Sequence, residues 1–270
     1  MFQRKWIAAY VGLLILAGAF LWWRGAAVNL DPPKVLELGL LDEISKFYER
    51  IGSELPMGTE RPRQDDDVVF FQALASGTSG PDGYILRYND GTCPPITLPA
   101  GRLIRVDHVG PWISGVYATL PMEPLSFQDA RAASDDIITS MMEAGWERSF
   151  YRPDVDEARI AESMGRRYIL ARLNVCGTEG TYAEVVLRSY GDGSPGFSAP
   201  PLAVGRSLPE DEPIRYLIAV SIIARDFDDA TPNLIAPRED LVRARREAVT
   251  GNPRQAIPLS VWLEEPNWTP

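Results

Sequence analysis

The chain has 270 residues with 27 basic and 37 acidic side chains, and its formal net charge is −10 at pH 7. The acidic excess lies beyond residue 30, because residues 1–30 contain three of the cations (Arg4, Lys5 and Arg24) and no acid. Nucleic-acid binding needs clustered lysine and arginine to displace counterions, so the composition disfavours that class of partner. The roughly 240 remaining residues are enough to bury a substantial hydrophobic core.

Residues 6–23 (WIAAYVGLLILAGAFLWW) contain no charged residue, amide or proline. As a helix they would extend about 27 Å, close to the roughly 30 Å hydrocarbon core of a bilayer. Tryptophans lie at both ends of the run, and Arg4, Lys5 and Arg24 flank it, as is typical of membrane interfaces. The sequence therefore predicts one transmembrane helix within a membrane anchor of residues 1–30.

A cleaved signal peptide is the alternative for this segment, since Gly25-Ala26-Ala27 resembles a cleavage site. The apolar run is longer than in most signal peptides, and Arg24 separates it from the candidate site, so the anchor is favoured. Moving the short, cationic N-terminal tail across the membrane would be unfavourable. We therefore expect the N terminus inside and the C-terminal domain in an extracytoplasmic space, either periplasmic or at the cell surface.

The only cysteines are Cys93 and Cys176, and both follow the predicted anchor. A single pair in an oxidising compartment predicts a disulfide bond between them. Two buried free thiols are the alternative.

The first elements after the anchor are predicted from periodicity and turn signals. Residues 31–66 are expected to form a juxtamembrane amphipathic helix, from Val35 to about Ser53, and a polar connector. Short strands separated by turn residues then begin a domain predicted over residues 67–190. The predicted strands of its first half are 68–75, 84–88, 103–109 and 112–120.

The second half of this domain is predicted to start with a helix over Phe127–Ala144. Ser126 and Asp129 form an N-terminal capping pattern, and Gly145 suits the helix end. Two strands follow, over 167–175 and 181–190, and the short connection between them indicates a hairpin.

Residues 191–270 are predicted as a loop and a C-terminal β-α-β extension packed on the same domain. Its expected elements are a central strand over 215–224, a helix over Arg238–Val249 and a strand over 257–263. The predicted fold class is α+β: an N-terminal transmembrane helix, then a mainly antiparallel sheet with two or three helices packed on one face.

The supply of reactive side chains limits the chemistry. His108 is the only histidine, which excludes a multi-histidine metal site, and its strand pattern favours a structural imidazole over a catalytic base. The serine-nucleophile and phosphate-loop motifs are absent from the sequence. The acidic runs Asp65–Asp67 and Asp226–Asp229 do not follow a calcium-loop pattern. No catalytic, cofactor-binding or metal-binding residue is therefore assigned, and no cofactor is expected.

These observations favour a non-enzymatic, membrane-anchored extracytoplasmic domain that binds another protein, as an envelope complex component or an inhibitor or immunity-type protein would. The net negative charge favours a basic partner, because opposite charge accelerates encounter. The alternative is an envelope hydrolase that uses carboxylates or His108.

Overall fold

The computed structural model describes residues 31–51, 69–75, 81–162, 168–176, 180–190, 215–224, 234–265 and 267–270. Within them the chain has a mixed α+β fold with a large antiparallel sheet and a few helices. The predicted transmembrane segment, residues 6–23, lies outside these residues. Among the described residues, no helix combines the length and the apolar character needed to cross a bilayer.

The large sheet has seven strands in the order β2-β5-β6-β10-β9-β8-β7, and all of its neighbours are antiparallel. The predicted central strand is β10, fourth in this order. The strands are β2 (Val69–Leu74), β5 (Leu103–Val109), β6 (Trp112–Leu125), β7 (Glu147–Tyr151), β8 (Tyr168–Asn174), β9 (Tyr182–Tyr190) and β10 (Arg215–Ile223).

A second sheet of three strands corrects one prediction. β1 (Lys34–Leu38) pairs in parallel with β3 (Tyr84–Tyr88), which pairs antiparallel with β4 (Ile96–Thr97). The predicted helix from Val35 is therefore wrong over its first half. The apolar residues of this stretch also fit the two-residue alternation of a strand, and Leu36 and Leu38 are completely buried where β1 pairs with β3. Such long-range pairing overrides a local helical period.

The described residues include five helices besides the two sheets. They are α1 (Ile44–Ile51), α2 (Phe127–Glu143), α3 (Glu157–Glu162), α4 (Ala236–Thr250) and α5 (Leu259–Glu264). The helix α5 corrects the strand predicted over 257–263. Pro258 precedes its first turn, and Trp262 is fully buried from a helical position. The final elements are therefore a strand and two helices rather than a β-α-β unit.

The helix α2 confirms the predicted helix and its caps. The backbone N–H of Asp129 donates to the Ser126 hydroxyl at 3.2 Å. At the other end Gly145 has a φ of +92°, and the N–H groups of Gly145 and Trp146 donate to the carbonyls of Met142 and Met141. This paired arrangement is a Schellman motif, which satisfies carbonyls that a helix end leaves without partners.

One face of the large sheet packs against α2 and contributes to the hydrophobic core. On β10 the residues of this face are Tyr216, Ile218, Val220 and Ile222, each at most 1% exposed. Tyr216 packs edge-on against Phe127 of α2, at 5.6 Å between ring centroids. Because side chains alternate along a strand, the odd-numbered residues of β10 point to the opposite face.

A cap formed by α4 and α5 covers the β5–β6 turn. Gly110 in this turn has a φ of +55°, and a Cβ atom there would lie 2.7 Å from Val242 of α4. Arg245 of α4 is only 4% exposed, and its guanidinium lies between the rings of Trp262 and Trp268, at 5.4 and 4.8 Å from their centroids. These cation–π contacts fasten the C-terminal residues to the domain.

A disulfide bond joins Cys93 to Cys176, as predicted, with their Cα atoms 5.8 Å apart. It connects the loop between β3 and β4 with the end of β8 and so links the two sheets. The two cysteines are 83 residues apart in sequence. A cross-link of this span restricts the unfolded chain strongly.

We expect the C93A/C176A variant of the full-length chain to lose about 4 kcal/mol of unfolding free energy, because its unfolded state regains the entropy that the cross-link removes. Urea unfolding followed by tryptophan fluorescence measures this loss. In reductant the wild-type midpoint should fall toward that of the variant, while the variant should not respond. Two free thiols in unreduced wild-type protein would contradict the prediction.

Candidate functional site

The face of the large sheet opposite α2 has an unusual content of polar residues. One residue from each strand lies in register with the next, so a single row crosses all seven strands. We call it the transverse row; its members, in order, are Gln72, Arg105, Tyr117, Ser221, Glu184, Arg172 and Phe150. Sheet faces that only support a core are normally apolar, so this row is a candidate binding surface.

The best-buried ion pair of the described residues lies in this row. Arg172 Nε donates to Glu184 Oε1 at 2.8 Å, and the side chains of Arg172 and Glu184 are 21% and 2% exposed. A carboxylate this deeply buried needs a cationic partner, because desolvation alone would be very costly. The pair therefore fixes the arginine on the sheet.

A second arginine occupies the other half of the row. Arg105 donates to Asp107 Oδ2 at 2.9 Å, and its guanidinium lies 4.2 Å from the centroid of the Tyr117 ring. Burial raises the pKa of Tyr117, and the Asp107 carboxylate raises it further. The phenol therefore keeps its proton at neutral pH and remains a potential hydrogen-bond donor.

Ser221 lies between these two halves, in register with Glu184 on β9 and Tyr117 on β6. The residue is 5% exposed, and its buried hydroxyl has no hydrogen-bond partner among the residues that the structure describes. A serine nucleophile needs a base within hydrogen-bond reach, and none of the described residues supplies one to Ser221.

His108 lies apart from this row, on the β5–β6 turn. As predicted, it shares a strand face with Ile104 and Val106, and all three are at most 1% exposed. Its Nδ1 atom lies 2.8 Å from the Gly110 carbonyl oxygen, so this nitrogen carries a proton and donates it. The imidazole is buried beneath the surface and supports the turn.

Metal binding gains no support from the described residues, which contain no group of three or more His, Cys, Asp or Glu side chains able to hold an ion. The acidic runs Asp65–Asp67 and Asp226–Asp229 lie outside the described residues.

Arginines and aromatic rings cluster around the edge strand β7. Arg131 of α2 and Arg148 of β7 lie 5.5 and 4.6 Å from the Tyr151 ring centroid. Arg152 lies 5.2 Å from the centroids of both Phe150 and Tyr168. Arg172 of the transverse row lies 6.0 Å from the Phe150 centroid, so the row and this group share Arg172 and Phe150. We call these seven residues the β7 edge cluster: Arg131, Arg148, Phe150, Tyr151, Arg152, Tyr168 and Arg172.

The arginines of this cluster fall into two kinds. Arg131 bonds to Asp135, to the Arg152 carbonyl and to the Tyr151 hydroxyl, and Arg172 bonds to Glu184, so both have structural partners. Arg148 and Arg152 are exposed, and neither has an ion pair in the described part of the chain. Among the described residues their guanidinium groups stack on rings and form no side-chain hydrogen bond, so their donors stay available.

Residues 146–152 (WERSFYR) carry no recognised motif, and no role is predicted for them from sequence. The alternation of arginine with aromatic residues was the available signal, but only pairing with β8 brings Tyr168 and Arg172 to the same edge. The chain matches no protein-family model, no curated protein and no solved structure. The geometry of the transverse row and the β7 edge cluster is therefore the basis for inferring function.

We expect the E184Q variant to be destabilised by about 3–5 kcal/mol, because it leaves Arg172 without its buried counter-charge. Chemical unfolding of the full-length chain measures the loss, and R172M/E184L should recover part of it. The matched control is D156N, which removes the exposed Asp156–Arg159 pair, whose side chains are 65% and 64% exposed. It should cost less than about 1 kcal/mol. Equal losses in E184Q and D156N would contradict the structural role of the buried pair.

Proposed function

We propose that the chain is a membrane-anchored extracytoplasmic domain that binds another protein and catalyses no reaction. Residues 6–23 would hold it in the membrane, with the domain on the extracytoplasmic side. It would act as a component of an envelope complex or as an inhibitor or immunity-type protein.

The β7 edge cluster is the observation that carries this proposal. Arginine, tyrosine and phenylalanine are enriched at protein interfaces, where rigid rings and planar guanidinium groups offer contact area at a low entropic cost. In the cluster, Arg148 and Arg152 are exposed while Phe150 and Tyr151 are partly buried beneath them. The rings hold the guanidinium groups in place and so reduce what binding would spend on ordering them.

The disulfide bond supports the proposed compartment. Disulfides persist in oxidising spaces and are uncommon in the cytosol. The Cys93–Cys176 bond therefore agrees with a domain that lies beyond the cytoplasmic membrane.

The alternative hydrolase would need an accessible acid, base or nucleophile. His108 is 1% exposed and bonded to the Gly110 carbonyl, so a substrate cannot reach it without local opening. Glu184 is 2% exposed and held by Arg172. Both contacts favour binding over hydrolysis as the function of this chain.

The placement of the domain has a direct test. We expect alkaline phosphatase fused after Pro270 to be active, because this reporter folds only where disulfides form, and a fluorescent protein that matures only in the cytosol to stay dark there. The same two reporters fused after residue 5 should behave in the opposite way. A bright cytosolic reporter after Pro270 would contradict the placement.

The binding role is tested by cross-linking and affinity purification of the full-length chain from detergent extracts. We expect the same stoichiometric protein partner in repeated purifications, because a preorganised surface supports a defined complex. A chain carrying only residues 1–30 fused to an unrelated domain is the control for anchor-dependent recovery. Repeated purifications that recover nothing above this control would contradict the proposal.

A further inference from the structure

We propose that the β7 edge cluster binds an acidic, extended segment of the partner protein, which lies along the outer edge of β7. The inference rests on the proposed function and specifies the partner's chemistry. It also differs from the expectation drawn from net charge, which favours a basic partner.

The chain carries −10 overall, yet two exposed arginines flank the edge strand, Arg148 within β7 and Arg152 directly after it. Arg148 stacks on Tyr151 and Arg152 on Phe150, and in the described part of the chain neither is paired with a carboxylate. The carboxylates that bond to this cluster, Asp135 and Glu184, are engaged by Arg131 and Arg172. Glu147 and Asp154 are exposed nearby in sequence, but in the described residues neither forms an ion pair with Arg148 or Arg152. The two guanidinium groups can therefore each bond a carboxylate of a partner through two parallel N–H groups.

The outer edge of β7 can also bind a peptide through its backbone. Within the described residues β7 is the last strand of the sheet and pairs only with β8, so the outward N–H and C=O groups of β7 face no strand. An extended peptide can add to such an edge through main-chain hydrogen bonds. A bulge between Arg148 and Phe150 interrupts the regular strand geometry there. The bulge disfavours the addition of an arbitrary peptide to this edge, so a peptide that binds should also contact the arginines.

Other polyanions fit this edge less well than a protein segment does. Nucleic acids and anionic membranes attract proteins through many clustered cations, whereas this edge offers two and the whole domain is acidic. Two arginines on aromatic rings beside a free strand edge fit the carboxylates and main chain of a protein segment. The arginines are four residues apart in sequence, so they span roughly 13 Å of extended chain or less. The peptide should therefore carry acids about four residues apart.

The test uses the full-length chain in detergent and a labelled peptide of about twelve residues in which glutamate alternates with threonine. Binding is measured by fluorescence anisotropy at low and at physiological salt. We expect saturable binding that weakens with salt, and roughly tenfold or greater weakening in R148E/R152E. R148Q/R152Q should also bind the peptide more weakly than the wild type, but with a smaller loss of affinity.

The matched control variant is R243E/R254E, which reverses the charge of two exposed arginines on α4 and the loop that follows it. The helix α4 packs against β5, which lies five strands away from β7. The R243E/R254E variant should bind the peptide as the wild type does. Circular dichroism and unfolding midpoints establish that all variants are folded. If R243E/R254E and R148E/R152E lose equal affinity, only overall charge matters and the inference is overturned.

Two further peptides separate the contributions of charge and backbone. Glutamine in place of glutamate should abolish binding, and proline at alternate threonines should weaken it, since proline cannot donate to the strand edge. A lysine peptide that binds better than the glutamate peptide would overturn the inference. So would a sulfated glycan that binds when the glutamate peptide does not.

Purification from detergent extracts separates this inference from the proposed function. A reproducible protein partner that R148E/R152E loses and R243E/R254E keeps is the expected result. A partner that both variants keep would overturn the inference and leave the proposed function in place. Recovery of no partner by the wild type would instead contradict the proposed function.

Discussion

The fold depends on the pairing of β10 along both of its edges. This strand, residues 215–223, is antiparallel to β6 on one side and to β9 on the other, and its core-facing side chains are at most 1% exposed. Without it the large sheet would separate into β2-β5-β6 and β9-β8-β7, each with a long unpaired apolar edge. Hydrogen bonds on both edges and burial against α2 therefore make a late segment of the chain the centre of the structure.

The two faces of the sheet have different roles as a result. The face against α2 is apolar and joins the second sheet in one hydrophobic core, which the Cys93–Cys176 bond crosses. The other face carries the transverse row, where each charged residue is paired with a neighbour on its own or an adjacent strand. Charged groups on a partly buried face are costly unless they are paired in this way. The ordering of Arg172 by Glu184 extends to Phe150 and so to the β7 edge cluster.

Net charge and local charge lead to different expectations about the partner. A total of −10 describes the long-range field that acts before contact. Contact itself depends on the groups at the interface, and at the interface proposed along β7 these would be Arg148 and Arg152, which stack on aromatic rings. The two expectations are compatible. A partner with a basic surface would be attracted by the negative long-range field of the chain, and an acidic segment of the same partner would then bind at the edge of β7.

Elements whose signals are local can be predicted from the amino-acid sequence alone. The helix α2 was predictable from Ser126, Asp129 and Gly145, because caps act within one turn. The strands β3 and β5 were predicted at their observed bounds, and the disulfide followed from there being only two cysteines. Tertiary structure decided the rest. Residues 34–38 became a strand because β3 offered a pairing edge, and residues 259–264 became a helix because Trp262 could pack there under Arg245. The transverse row and the β7 edge cluster combine residues far apart in sequence, from Gln72 to Ser221, and only strand register brings them together. Register is set by long-range pairing and by which face is buried, and neither is encoded in any single stretch of the chain.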